Sequence, residues 1–181
     1  MNTLWERRLF DILGVADRIT ISLAAAGIPH QIVGGLAVLL HVESSGSADA
    51  VMTKDADVLI RGSDLVRVID SAERSGFEVV ADRLKHPGFQ ADVHLHFAGG
   101  RSSERQLGPH PDIDPTTLTV HGLSVPLMGL YDLLRSLLRS KRTIDTVCVQ
   151  SMNSAGLINP DLERKLPDEL QSRLNEIPAM E

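Results

Sequence analysis

Residues 51–61 read VMTKDADVLIR, and no other stretch limits the fold so tightly. Asp55 and Asp57 lie two apart in a run that continues through Val58, Leu59 and Ile60. A strand has a side-chain period of two, so it would project both carboxylates from one face and turn Ala56 and Val58 to the other. At that spacing the charges sit roughly 6 Å apart and repel by about 3 kcal/mol at an effective dielectric near 20, but by under about 1 kcal/mol in water. A solvated face tolerates such a pair. A partly buried pair calls for cations.

The segments on either side decide between those two settings. Residues 4–26 carry a helical stripe (Leu9, Ile12, Leu13, Ala16, Ile19, Leu23) that stops at Gly27 and Pro29. His30, Gln31, Ile32 and Val33 form a short strand candidate that runs into Gly34 and Gly35, and residues 36–42 then read as a buried helix. The polar loop ESSGSADA, residues 43–50, delivers the chain to the Asp55 strand. A helix over residues 65–76 and a strand over 77–81 follow. Residues 91–97 (ADVHLHF) alternate, with Asp92, His94 and His96 on one face and Val93, Leu95 and Phe97 on the other.

Residues 98–115 hold three glycines and three prolines and read as a long loop of the kind that is often functional. Strands 118–120 and 123–125 flank His121-Gly122, a two-residue hairpin turn. From residue 127 the chain reads as helices. Leu130, Leu133, Leu134, Leu137 and Leu138 make an apolar stripe, with Arg135, Arg139 and Arg142 on a neighbouring face. Shorter helices are predicted over 144–150, 160–165 and 168–177. The fold class is α/β: a small mixed sheet covered by helices over residues 1–126, then a helical region over 127–181.

Composition narrows the function classes. With 43% hydrophobic and 23% charged residues, the 181-residue chain has the composition of a soluble globular protein, and at 3% aromatic its core rests on aliphatic side chains. The longest apolar run, residues 32–40, is far short of the roughly 20 residues of a membrane span. Glu6, Arg7, Arg8 and Asp11 interrupt any signal-peptide core, so the expected location is cytoplasmic. The single cysteine, Cys148, excludes a disulfide framework and a Cys-rich zinc site and reads as a small buried hydrophobe. A net charge of −6 argues against general coating of nucleic acid while leaving room for a local basic groove.

The ordered set of strand, Gly34-Gly35, helix, Thr53-Lys54-Asp55-Ala56-Asp57 and a later strand with Asp92 resembles the nucleotidyltransferase superfamily, the polymerase-beta-like fold. The resemblance is nearest to small prokaryotic members related to abortive-infection toxins and minimal nucleotidyltransferases, and it spans residues 31–97. It implies a metal-dependent transfer of a nucleoside monophosphate from a triphosphate to a hydroxyl on a protein, an RNA end or a small molecule. Two magnesium ions are the implied cofactors, since two metals roughly 4 Å apart can stabilise the attacking and the leaving oxygens. By resemblance Asp55 and Asp57 hold both ions, and Asp92 binds the one that activates the acceptor and takes its proton.

Gly34 and Gly35 would let the backbone approach the triphosphate at a helix start, although tight strand-to-helix packing asks for the same residues. Thr53 would orient the Asp-bearing strand, or simply suits one. Lys54 alternates towards solvent. Relatives often place a lysine before an Arg-x-x-Asp-like segment; here that segment is Arg142 to Asp145 and the lysine position falls on Leu137. Arg139 or Arg142 would then neutralise the triphosphate, with Lys141 close in sequence.

Two other readings compete. A His-x-His pair beside Asp92 suits zinc and a hydrolase, but the remaining histidines show no recognised ligand spacing. A nucleotidyltransferase-like binding or regulatory module, one half of a toxin–antitoxin pair, would keep the fold without turnover, and Leu137 favours it. An apolar surface on the last helices would serve a partner protein or a second copy. No Gly-x-Ser-x-Gly elbow and no phosphate-binding P-loop is present.

Overall fold

Helix α1 (Thr3–Ala25) turns Leu9, Ile12, Val15, Ala16, Ile19 and Leu23 inward, and all six are buried. It ends where the sequence allows a left-handed residue: Gly27 has φ +62°, and the Ile28 amide returns to the Leu23 carbonyl at 2.9 Å. The computed structural model describes residues 3–47, 51, 53–101, 108–120 and 123–178. After α1 come β1 (His30–Val33), α2 (Gly34–Ser44), β2 (Ala56–Ile60), a 3₁₀ turn (Gly62–Asp64) and α3 (Leu65–Arg74). Strands β3 (Glu78–Val80), β4 (Arg83–Lys85), β5 (Val93–Phe97), β6 (Pro115–Val120) and β7 (Leu123–Met128) precede α4 (Leu130–Leu138), α5 (Thr143–Ser154), α6 (Pro160–Arg164) and α7 (Asp168–Asn175).

The seven strands form one mixed sheet in the order β3-β4-β5-β2-β1-β7-β6. β2 runs parallel to β5 and β1 parallel to β7; the other neighbours are antiparallel. Val58, Leu59 and Ile60 point alternately to the two faces of β2 and are all fully buried, so both faces of the sheet centre are covered. α1 packs on β1, β2 and β7 and against α3, while α2 packs on β1, β2 and β6 and against α4 and α5. The sheet is thus a two-sided core element, with Asp57 on β2 and Asp55 and Asp92 just ahead of β2 and β5.

Several boundaries differ from the sequence reading, each for a local reason. The acidic strand is shorter than residues 51–61: β1 ends at Val33, opposite Asp57, so Thr53 to Asp55 have no β1 partner and lie ahead of β2. Gly34 and Gly35 are not a turn before α2 but its first residues. β4 was not expected, because Arg83-Leu84-Lys85 is too short and polar to register as a strand; only Leu84 is buried. β7 continues through Pro126 and Leu127 to Met128, since Leu127 pairs with Ile32 at the sheet centre, so the helices begin at Leu130 and not at 127. The expected His121-Gly122 turn lies outside the described residues, as do residues 48–50 and 102–107 of the two expected loops.

α4 stops at Leu138, so Arg135, Arg139 and Arg142 do not share a helix face. Arg139 is the C-cap of α4, Arg142 the N-cap of α5, and Arg135 pairs with Asp132 at 3.1 Å beside the Tyr131 ring.

Two buried histidines fasten the core. His41 Nε2–H donates to the Met128 carbonyl at 2.9 Å, tying α2 to β7, and His30 Nδ1–H donates to the Ile28 carbonyl at 2.8 Å. Burial holds both pKa values below the ordinary 6.5, outweighing these hydrogen bonds. The unfolded chain therefore takes up protons first as pH falls, and the stability contributed by neutral histidines is full above about pH 6.5 and lost below it. Urea midpoints are expected to fall between pH 7 and pH 5, with a shallower fall in His41→Gln; an equal slope in that variant would remove His41 as a cause.

Gly34 offers a second test. Its φ is +63°, and a Cβ there would stand 2.6 Å from Asp57 Oδ2. At Gly27, also left-handed, a Cβ meets nothing within 4 Å. Gly27→Ala should cost about 1–2 kcal/mol in urea melts, and Gly34→Ala at least about 1 kcal/mol more because overpacking adds to the backbone term. Equal losses would show that the Asp57 contact relaxes freely.

Candidate active site

Three elements converge on one cavity: the end of β1 with the start of α2, the Asp57 end of β2, and the junction of α4 and α5. The cavity measures about 70 Å³ and is lined by Val33, Gly34, Asp57, His96, Leu137 and Arg142 among others. A water needs roughly 10–15 Å³ by this measure, so the space suits a phosphate-sized group and not a whole nucleotide. α2 starts here at Val33 and Gly34 with no side chain capping its first turn. Its free amides and dipole therefore favour negative charge at this point.

Asp57 occupies that position. Its Oδ2 lies against Gly34, and its Oδ1 accepts a hydrogen bond from His96 Nε2 at 2.8 Å. Gly35 gives the same close approach to Thr53, whose hydroxyl would be 3.0 Å from a Cβ there and donates to the Asp55 carbonyl at 3.1 Å. Both glycines thus serve packing, and the partner each admits is a residue of the acidic segment. Through its bond to the Asp55 carbonyl, Thr53 ties the backbone just ahead of β2.

Asp55, Asp57, His94 and His96 come together through the β2–β5 register, which pairs Asp57 with His94 and Leu59 with His96. The His94 ring lies between the two acids, Nε2 at 3.7 Å from Asp55 Oδ2 and Nδ1 at 3.8 Å from Asp57 Oδ1. His94 Nε2 is buried and makes no hydrogen bond. Asp92 stands one residue before Val93, and its carbonyl accepts from the Ala56 amide at 3.0 Å. Its carboxylate is taken by cations of β4, Arg83 at 3.4 Å and Lys85 at 3.7 Å. It does not line the cavity.

Arg142 faces the cavity and is gripped from behind by Asp145, Nε to Oδ2 at 2.7 Å and Nη2 to Oδ1 at 2.9 Å. This bidentate contact raises the Arg142 pKa against the effect of burial. Arg139 is not among the cavity residues and lies beside Gly108. Lys141 is exposed, and Leu137 forms part of the cavity wall. Burial, with the nearby Asp145 charge adding to it, pushes the Cys148 thiol up to about 12, which leaves it an inert packing group.

Among the cavity residues that the sequence reading did not single out are Ser136, Ser140 and His110. His110 falls in the long loop, and its position follows from backbone bonds that no periodicity announces: Gly99 N to His110 O at 3.1 Å and His110 N to Gly100 O at 2.8 Å. The loop thereby returns to the sheet and sets His110 edge-on to His96, with ring centres 5.4 Å apart. Burial pushes His110 down to about 4, helped by His96 and opposed by Asp57.

The donor chemistry suits a divalent cation, with hard carboxylate oxygens on one side and a buried, orphaned imidazole nitrogen beside them. Among the described residues no group of three or more His, Cys, Asp or Glu side chains is arranged to hold an ion as it stands. Binding would have to draw donors together. Each acid is occupied by a cation or an imidazole, but partly exposed pairs of this kind are worth only about 0–1 kcal/mol and yield readily to an ion.

No family model matches the chain, and no curated protein matches it by sequence. Solved structures do. The chain is similar to an antigenic nucleotidyltransferase-like protein from Paracoccidioides brasiliensis, with 20% identity, a TM-score of 0.59 and coverage of 92% of this chain and 86% of that one. It is similar to ANT(2")-Ia in complex with adenylyl-2"-tobramycin, at 12% identity and a TM-score of 0.51 over 91% of this chain and 87% of that one. The lincosamide antibiotic adenylyltransferase LnuA, lincomycin-bound, shares 17% identity and a TM-score of 0.51 over 83% of this chain and 97% of its own. At these identities what is shared is the architecture: the chain has the nucleotidyltransferase-like fold.

Proposed function

We propose that the protein is a metal-dependent nucleotidyltransferase that moves a nucleoside monophosphate from a triphosphate to a hydroxyl of a small molecule. The observation that carries this reading is the meeting of Asp57, the uncapped start of α2 at Gly34 and the Asp145-held Arg142 around one phosphate-sized cavity. The two adenylyltransferase neighbours, one bound to an adenylylated tobramycin and one to lincomycin, support the small-molecule acceptor over a protein or RNA end.

In this reading the acceptor oxygen bonds to the α-phosphorus, the bond from that phosphorus to the bridging oxygen breaks, and pyrophosphate leaves with the electron pair. Asp92 takes the hydroxyl proton once bound substrate has released its carboxylate from Arg83 and Lys85. A divalent ion, magnesium by resemblance, would be held by Asp55 and Asp57 and would neutralise charge on the attacking and leaving oxygens. Arg142 and the first amides of α2 bind the terminal phosphates, and Asp145 keeps Arg142 aimed at them. The absence of side chains at Gly34 and Gly35 lets this happen close to Asp57. Base and sugar lie outside the cavity, which is too small for them. Leu137 puts no charge on the cavity wall, so Arg142 carries the cationic role there.

The test is transfer of label from α-labelled triphosphates, supplied with magnesium or manganese, to hydroxyl-bearing small molecules. The double variant Asp55→Asn, Asp57→Asn should lose at least about 100-fold in rate, and Arg142→Ala should raise the triphosphate KM about tenfold or more. Transfer that survives the double substitution removes the acidic face from the mechanism. A wild-type protein that binds triphosphate without transferring label favours the regulatory-module reading instead.

A further inference from the structure

We propose that the outer face of α1 pairs with the same face of a second copy, the two helices running antiparallel about a two-fold axis that crosses between Asp17 and Arg18. Along this face come Phe10, Gly14, Asp17, Arg18, Ile21 and Ala25, at spacings of four, three, one, three and four residues. At 3.6 residues per turn all six fall on one side of the helix, opposite the stripe from Leu9 to Leu23 that enters the core. The spacing reads the same in both directions. A symmetric interface asks for that property, because residue i of one copy meets residue j of the other while j meets i.

The side chains are complementary in the order the axis dictates. Phe10 and Ile21, 75% and 61% exposed, are large apolar groups on the outer side of a helix whose inner side is already buried. Phe10 falls opposite the partner's Ala25, small and exposed, and Ile21 falls opposite the partner's Gly14. The Phe89 ring lies over Gly14, 2.5 Å from where a Cβ would stand, so an aromatic surface receives the isoleucine there. At the centre Asp17 faces the partner's Arg18, and Arg18 faces the partner's Asp17. Within one copy these charges are left over: among the described residues Asp17, Arg18 and Arg74 form no ion pair, and Arg18 only donates Nε–H to the Ser75 carbonyl at 3.2 Å.

The same face borders a groove of about 610 Å³ between α1 and α3, with Phe10, Ile21 and Phe89 among its walls and Arg74 on its α3 side. The groove shares no residue with the active-site cavity. Apolar groups rimmed by charge mark an interaction surface. The palindromic order selects a second copy as the occupant, since neither a small molecule nor an unrelated protein would call for it.

Sedimentation velocity of the full chain at about 1–100 µM reads the pairing. A species of twice the monomer mass is expected, and a monomer throughout overturns the proposal. Asp17→Arg and Arg18→Asp should each weaken the dimer about tenfold or more, because either change sets like charges across the axis. An equimolar mixture of the two variants should recover the dimer, one copy then offering two bases and the other two acids. The double variant Asp17→Arg, Arg18→Asp should recover it as well. Single changes that leave the dimer intact, or combinations that fail to restore it, overturn the antiparallel arrangement about this axis. Ile21→Lys should dissociate the dimer, and one that survives this change uses another surface and overturns the proposal. The wild-type measurement needs no variant, so it stands even where one folds poorly.

Discussion

The close approach of Asp57 to the backbone of Gly34 is the constraint on which the site depends. It requires a strand that ends against a helix start, a left-handed residue at the joint and no side chain there. The uncapped start of α2 favours negative charge at that joint. The rest of the architecture supplies the surroundings. β1 and β2 are held rigid by burial on both faces, β5 brings histidines alongside in parallel register, and the α4–α5 junction closes the cavity with Arg142.

Much of this was legible in the sequence, because its signals were local. The glycine stop of α1, the strand-glycine-helix order and the alternation of Asp92, His94 and His96 were all written in neighbouring residues. The strand that carries Asp57 followed from its pattern, whereas Asp55 proved to lie just ahead of it. Register between strands was not legible, nor was the return of a loop. β4 is three residues with one buried side chain, and its role became visible only when Arg83 and Lys85 were seen beside Asp92. His110 owes its place to two backbone hydrogen bonds. The predicted arginine stripe failed for a related reason, since nothing in the spacing showed that α4 would stop at Leu138.

The charges on this face are arranged as a set of exchangeable partnerships. Asp57 with His96, Asp92 with Arg83 and Lys85, and Arg142 with Asp145 differ in solvent exposure and in geometry. Asp145 is buried and bidentate, so its contact with Arg142 is the one to expect in every state of the protein. The others are looser. A ligand bringing phosphates and cations would redistribute them at little cost, while the Arg142 wall stayed fixed.

The last helices reach back to that wall. Leu166 and Leu170 are buried in the common core, Arg173 donates to the Ser140 carbonyl at 2.8 Å, and the Tyr131 hydroxyl donates to the Lys165 carbonyl at 3.2 Å. Ser140 lines the cavity and lies between α4 and α5. A segment some thirty residues downstream in sequence therefore acts as a brace for the cavity's far side. Wear at this end of the chain, by clipping or by fusion to another protein, would be felt as a change in the aperture of the site, with the acidic face itself untouched.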